Sequence, residues 1–169
     1  MKIEDNFLDQ EDFDKIQNIM MGSHFPWFYN DGIDTEDDVD KFQFIYGFYQ
    51  DHSPGGESIK IVSSILEVLQ PISLFRIKSN LLTRTPTIVE NEFHVDIHYG
   101  ITKEKLKQWT TSIFYINTNN GYTKFEDGTK VESVANRMIT FSSNKRHTGT
   151  SCTDEKKRVV INFNYFKKS

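Results

Sequence analysis

His94-Val95-Asp96 sets an imidazole and a carboxylate two positions apart. Extended backbone turns residues i and i+2 to the same face, so the pair projects side by side, with Val95 and Ile97 turned away. A further histidine, His147, stands downstream in Arg146-His147-Thr148-Gly149. Two imidazoles and one carboxylate brought together would hold a metal from one side. That donor set suits non-haem Fe(II), because it leaves positions open for a co-substrate and O2. Alone, a His-x-Asp pair also fits two ordinary structural residues, and the same donors with another histidine would serve a zinc hydrolase. His98 shares the His94/Asp96 face. A third ligand from one straight strand is sterically awkward, so His98 is expected at the rim, as a candidate substrate contact.

Arg158 follows His147 and heads the run Arg158-Val159-Val160-Ile161-Asn162-Phe163-Asn164-Tyr165. Alternation puts Lys157, Val159, Ile161, Phe163 and Tyr165 on one face and Arg158, Val160, Asn162 and Asn164 on the other. A guanidinium heading a face with two carboxamides suits a polar pocket, where arginine grips a carboxylate through two parallel hydrogen bonds. Asn162 and Asn164 are then candidate substrate contacts. The alternative is that Arg158 only ends the solvated run Lys156-Lys157-Arg158. His24 and His52 stand in loop-like contexts and read as solvated. Cys152, with no general base assigned beside it, reads as incidental.

The elements that must position these residues can be read from the pattern. The chain has 169 residues, 14% of them aromatic, which favours strands and gives length for one domain with a sizeable core. Phe13, Ile16 and Met20 recur at helical spacing between acids and Gly22, predicting a helix over 9–21. Ile59, Val62, Ile65, Leu66 and Leu69 make a second apolar stripe over 57–70, stopped by Pro71. Between them, Phe25-Pro26-Trp27-Phe28-Tyr29 is either a core plug or a lid over a pocket. The acid-rich stretch 31–41 reads as a solvated loop without a calcium-loop register. Strands are expected over 42–49, 73–82, 90–99, 111–117, 122–126, 129–134, 137–142 and 157–166, with Asp127-Gly128 as a hairpin turn. Helices followed by antiparallel strands give an α+β chain, helices outside a double-stranded β-helix (jelly roll) with a metal in its mouth. One domain over 1–169 is expected, helical to about residue 70 and a jelly-roll core from about 71.

Net charge is −4, which lends no support to a nucleic-acid surface. The start, Met1-Lys2-Ile3-Glu4-Asp5, has no signal pattern, and no apolar run is long enough to span a membrane. A single cysteine excludes an internal disulfide and points to a reducing, cytoplasmic setting.

In order and spacing, His94-Val95-Asp96, His147 and Arg158 resemble the motif of the Fe(II)- and 2-oxoglutarate-dependent dioxygenases, especially the prolyl 4-hydroxylase-like branch. The segments between agree. Thr111 to Asn117 resembles the family's Tyr-Leu-Asn strand, Gly121-Tyr122-Thr123-Lys124-Phe125 its Gly-Gly-Glu-Thr-x-Phe, and Val131 to Phe141 the stretch leading to the distal histidine. The likeness covers about residues 73–166. Tyr122 stands where the family has Glu, and Asn136 where it commonly has Gly. The resemblance implies that His94, Asp96 and His147 hold iron. It implies that Arg158 pairs with the distal carboxylate of 2-oxoglutarate, that Tyr115 donates to the same carboxylate, and that Asn80 lies near the co-substrate's other end. It implies a hydroxylase of a peptide side chain, an amino acid or another small molecule. The rival is a cupin-like or inactive metal-binding jelly roll, which has no reason to keep a carboxylate clamp facing the metal.

Overall fold

Asp9 opens helix α1 (Gln10–Met21), its side chain accepting the Asp12 N–H at 2.9 Å, and Gly22 closes it. Phe13, Ile16 and Met20 are its buried face. The second apolar stripe is not one α-helix. A 3-10 segment, Gly56–Val62, leads into a short α2 (Ser63–Leu69), which ends at a left-handed Gln70 ahead of Pro71. A third helix, α3, is Lys103–Leu106. This computed structural model describes residues 1–33, 41–50, 52–97 and 101–167. His98 and most of the acid-rich stretch lie outside them.

The strands are β1 (Lys2–Glu4), β2 (Phe28–Asp31), β3 (Phe42–Gln50), β4 (Ser53–Pro54), β5 (Ser73–Thr83), β6 (Thr110–Tyr115), β7 (Tyr122–Phe125), β8 (Lys130–Glu132), β9 (Arg137–Ser142), β10 (His147–Gly149) and β11 (Lys157–Phe166). Among the described residues they form two antiparallel sheets. The larger has eight strands, ordered β1-β9-β6-β11-β5-β3-β2 with β4 beside β3; the smaller has three, ordered β10-β7-β8. The larger sheet carries the helices on its outer face and faces the smaller sheet on its inner one, which makes a jelly roll. The first third is not helical throughout, since β1 to β4 all join the larger sheet.

The alternation of β11 divides the two cores. Val159, Ile161, Phe163 and Tyr165 pack outward with Phe13, Ile16, Met20 and Ile65 of the helices. Val160 points inward, with Ile113, Tyr115, Phe125, Val131, Ile139 and Phe141. Each such side chain contributes about 1.5–3 kcal/mol of burial. The aromatic run divides in the same way. Phe25 belongs to the outer core, while Phe28 and Tyr29 on β2 are exposed.

The strand expected over 90–99 is absent from the residues described there. Residues 90–97 touch their neighbours through isolated bridges, Glu90 with Thr150 and His94 with His147. Its partner strand β10 is three residues long, too short for a full ladder.

Candidate metal centre

His94 and His147 face each other across one antiparallel rung, each N–H donating to the other's carbonyl at 3.0 Å. Their ring centroids are 5.1 Å apart. The segment carrying His94 is held from both ends. Glu90 accepts from the Tyr122 hydroxyl at 2.5 Å and from Lys124 Nζ at 2.7 Å, and Arg146 Nη2 donates to the Phe93 carbonyl at 2.6 Å. Tyr122, the departure from the family pattern, therefore has a defined partner.

Both imidazoles use Nδ1 in the same way. His94 Nδ1 lies 3.1 Å from the Glu92 carbonyl, and His147 Nδ1 lies 3.2 Å from the Lys145 carbonyl. Each Nδ1 is thus turned to a backbone carbonyl, which leaves Nε2 as the ring nitrogen directed at Asp96. Asp96 Oδ1 lies 3.8 Å from His94 Nε2 and 3.7 Å from His147 Nε2. One ligand atom from each residue falls within 4.8 Å of the others, and this donor chemistry fits a divalent metal. Same-side projection therefore holds without a regular strand.

Burial alone would push the Asp96 carboxyl up. The neighbouring His147, Arg76 and His94, with the Asn164 hydrogen bond, outweigh it and hold the group at about 2. Asp96 is thus a carboxylate at neutral pH, the form a metal needs.

The trio opens into a cavity of about 210 Å³, the size for a small ligand, whose wall includes Arg76, Lys78, Asn80, Asn91, Thr123, Arg158 and Asn162. Arg158 does not end a solvated run: it is only 3% exposed. Its Nε donates to Ser133 Oγ at 2.8 Å and its Nη2 to Thr123 Oγ1 at 3.2 Å, and the guanidinium lies over the Tyr115 ring. None of the described carboxylates pairs with it. Burial lowers its pKa, yet arginine keeps its charge, so this is a buried cation facing a cavity without a protein counter-ion among the described residues. Two glycines make room for it. A Cβ on Gly121 would stand 2.7 Å from Arg158 Cδ, and one on Gly149 would stand 3.3 Å from its Nη1.

Several expected contacts sit elsewhere. Tyr115 is fully buried in the inner core and is not on the cavity wall; its hydroxyl donates to Thr123 Oγ1 at 2.7 Å. Thr123, which sequence reasoning missed, accepts from both Tyr115 and Arg158, so its own hydroxyl proton is the donor left for the cavity. Burial raises the Tyr115 pKa, keeping it protonated. Asn80 and Asn162 do line the cavity, and their Oδ1 atoms are buried without a hydrogen-bond partner among the described residues. Asn91, also missed, shares both properties while its Nδ2 donates to the Gly149 carbonyl at 3.0 Å. Asn164 is not on the wall. Its Nδ2 donates to Asp96 Oδ2 at 2.8 Å. Arg76 and Lys78 sit on the Asn80 face of β5, where alternation places them, but only Asn80 was singled out. Cys152 is buried, its thiol donating to the Glu155 carbonyl at 3.4 Å, and His24 and His52 are exposed.

No family model matches the sequence, and no curated protein matches it. Solved structures do. One is a prolyl hydroxylase from Trichoplax adhaerens in complex with a hypoxia inducible factor oxygen degradation domain peptide fragment, at 16% identity and TM-score 0.63, over 98% of this chain and 82% of that one. Another is a 2OG-Fe(II) oxygenase family oxidoreductase from Burkholderia pseudomallei, at 10% identity and TM-score 0.63, over 98% and 83%. A third is the non-haem α-ketoglutarate-dependent epimerase SnoN of nogalamycin biosynthesis, at 12% identity and TM-score 0.61, over 98% and 76%. The chain has their fold over nearly its whole length. No helix among the described residues is long and apolar enough to cross a membrane.

Proposed function

We propose that the chain is a single-domain Fe(II)- and 2-oxoglutarate-dependent dioxygenase that hydroxylates a peptide side chain, an amino acid or another small molecule. The observation that carries this reading is the buried Arg158. A cation held in a cavity with a His-Asp-His trio, and with no carboxylate partner among the described residues, calls for an anionic ligand there.

His94, Asp96 and His147 would hold the iron from one side, their Nε2 and Oδ1 atoms already turned together. Arg158 and the Thr123 hydroxyl would bind and orient the distal carboxylate of 2-oxoglutarate. Ser133 and Tyr115 keep those two groups in place. Ile113, Val160 and Leu82 on the same wall exclude water from the space between. The bound iron and co-substrate supply oxidation of a C–H bond by O2, coupled to breakdown of 2-oxoglutarate to succinate and CO2. A reducing, cytoplasmic setting, which the lone Cys152 supports, keeps such iron ferrous.

The fold leaves the substrate open, since one structural neighbour is complexed with a peptide and another is an epimerase of nogalamycin biosynthesis. Net charge −4 speaks against nucleic acid. A cupin-like or inactive barrel has no use for a buried carboxylate clamp. Anaerobic titration with Fe(II) and 2-oxoglutarate, followed by measurement of succinate release in air, tests the reading. Wild-type protein should bind both and release succinate. His147→Ala should lose metal, and Arg158→Ala should lose co-substrate affinity while keeping metal. Absence of binding by the wild type, or binding unchanged in both variants, overturns the proposal.

A further inference from the structure

Asp96 has two oxygens with different surroundings. Oδ1 faces His94 Nε2 and His147 Nε2, while Oδ2 accepts from Asn164 Nδ2 at 2.8 Å. Asn164 is fully buried, and both ends of its carboxamide are committed. Nδ2 donates to Asp96 Oδ2 and to Thr111 Oγ1, the latter at 3.1 Å. Oδ1 accepts from Arg76 Nε at 3.2 Å. A guanidinium only donates and a carboxylate only accepts. Turning the amide over would set oxygen against oxygen at Asp96 and N–H against N–H at Arg76, so one orientation is allowed.

The sheet register builds this arrangement. Asn164 pairs with Arg76 on one side and with Thr111 on the other, forming one rung across β5, β11 and β6. Thr111 Oγ1 lies 2.8 Å from Ser143 Oγ, which anchors the far end. Arg76 Nη2 stands 3.7 Å from Asp96 Oδ1, close enough to balance its charge. The carboxylate itself sits on the irregular segment 90–97, where the two backbone bridges lie before it, at Glu90 and His94. The rung of the larger sheet therefore supplies the orientation that the segment lacks.

We propose that Asn164 and Arg76 are positioning residues of the metal centre, holding Asp96 so that Oδ1 alone reaches the metal. This rests on the reading of His94, Asp96 and His147 as metal ligands. With Oδ2 held by Asn164, Oδ1 is the oxygen that Asp96 would present to the metal. Without Asn164, Oδ2 would have no donor among the described residues and the carboxylate would be free to rotate.

The test uses Mn(II) and Co(II), with no turnover. Metal-stripped wild type, Asn164→Leu, Arg76→Met and Tyr165→Phe are titrated with Mn(II) by calorimetry, and the Co(II) forms are compared by visible absorption. Asn164→Leu and Arg76→Met should weaken Mn(II) binding about 10- to 100-fold and shift the Co(II) bands. Tyr165→Phe removes a buried hydroxyl bonded to Ser112 on the opposite face of β11, so it should bind like wild type. Should Asn164→Leu fail to fold by circular dichroism, the part-exposed Arg76 carries the test. Folded variants with wild-type Mn(II) affinity and an unshifted Co(II) spectrum overturn this proposal alone. Wild-type protein that binds neither ion overturns the metal reading, and this one with it.

Discussion

Thr123 gathers the hydrogen bonds of the Arg158 end of the cavity onto one hydroxyl. It accepts from Tyr115 and from Arg158, so replacing it by valine leaves two buried donors without their acceptor, a loss of about 1–3 kcal/mol for each. Thr123→Val should therefore weaken 2-oxoglutarate binding and lower the melting temperature together. Tyr115→Phe deletes only the outer donor and should weaken 2-oxoglutarate binding by a few-fold, about 1 kcal/mol at most. Calorimetric titration of both variants with Mn(II) present separates these outcomes; equal losses would contradict the indirect role of Tyr115. Asp96 gives a second residue-scale expectation. Its carboxyl is held at about 2, below the ordinary 3.8. A depressed acid contributes stability above its unfolded pKa, and that contribution is lost as pH falls through the folded value. Metal-free protein should therefore lose roughly 2 kcal/mol between about pH 4 and pH 2. Urea unfolding of wild type and Asp96→Asn across that range measures the difference, and identical slopes would contradict it. Residue types and spacing carried the trio and Arg158. They did not carry depth: Asn162 and Asn164 share a face of β11, yet one lines the cavity and the other lies behind Asp96, because only the folded path of 90–97 decides which is covered.

Elements act on the site through backbone proximity. β7 and the loop before it approach Arg158 so closely that Gly121 has no room for a methyl: a Cβ would stand 2.7 Å from Arg158 Cδ and 2.7 Å from the Ser151 carbonyl. Gly121→Ala should destabilise the protein by about 1–3 kcal/mol and displace the guanidinium, weakening 2-oxoglutarate more than Mn(II). Chemical denaturation and paired titrations would show it, and a variant that loses stability but keeps co-substrate affinity would contradict the packing argument. Long periodic elements were readable: α1 and β5 each bury one face, and β11, buried on both, separates an apolar face from a polar one. β10 was not, since three residues carry no period. The alternation over 90–99 predicts a strand, but over the described residues 90–97 the partner is too short to pair with it. β1 joins the sheet through β9, far along the chain, and nothing local announces that.

The molecule as a whole is a helix layer, a large sheet and a small sheet, with the site between the sheets. The His-Asp-His trio could be anticipated because it follows from residue types, and the layering because helices precede strands. A strand over 42–49 could also be anticipated, and β3 is there; β1, β2 and β4 are too short to carry a period that announces them. The placement of the trio also has a kinetic consequence. Asp96 meets Asn164 across 68 residues, and His94 meets His147 across the full path between the sheets. Such contacts close late in folding, because loop-closure entropy opposes them until the strands on either side have paired. A metal ion would then find its ligands assembled only after the rate-limiting barrier. Mn(II) should leave the refolding rate nearly unchanged and slow unfolding by close to the full stabilisation it provides. Stopped-flow refolding and unfolding with and without Mn(II) would read this directly, and faster refolding would mean that the ligands meet early. In a cell, such a chain would fold first and load its metal afterwards, so its lifetime would follow the supply of metal while its rate of maturation would not.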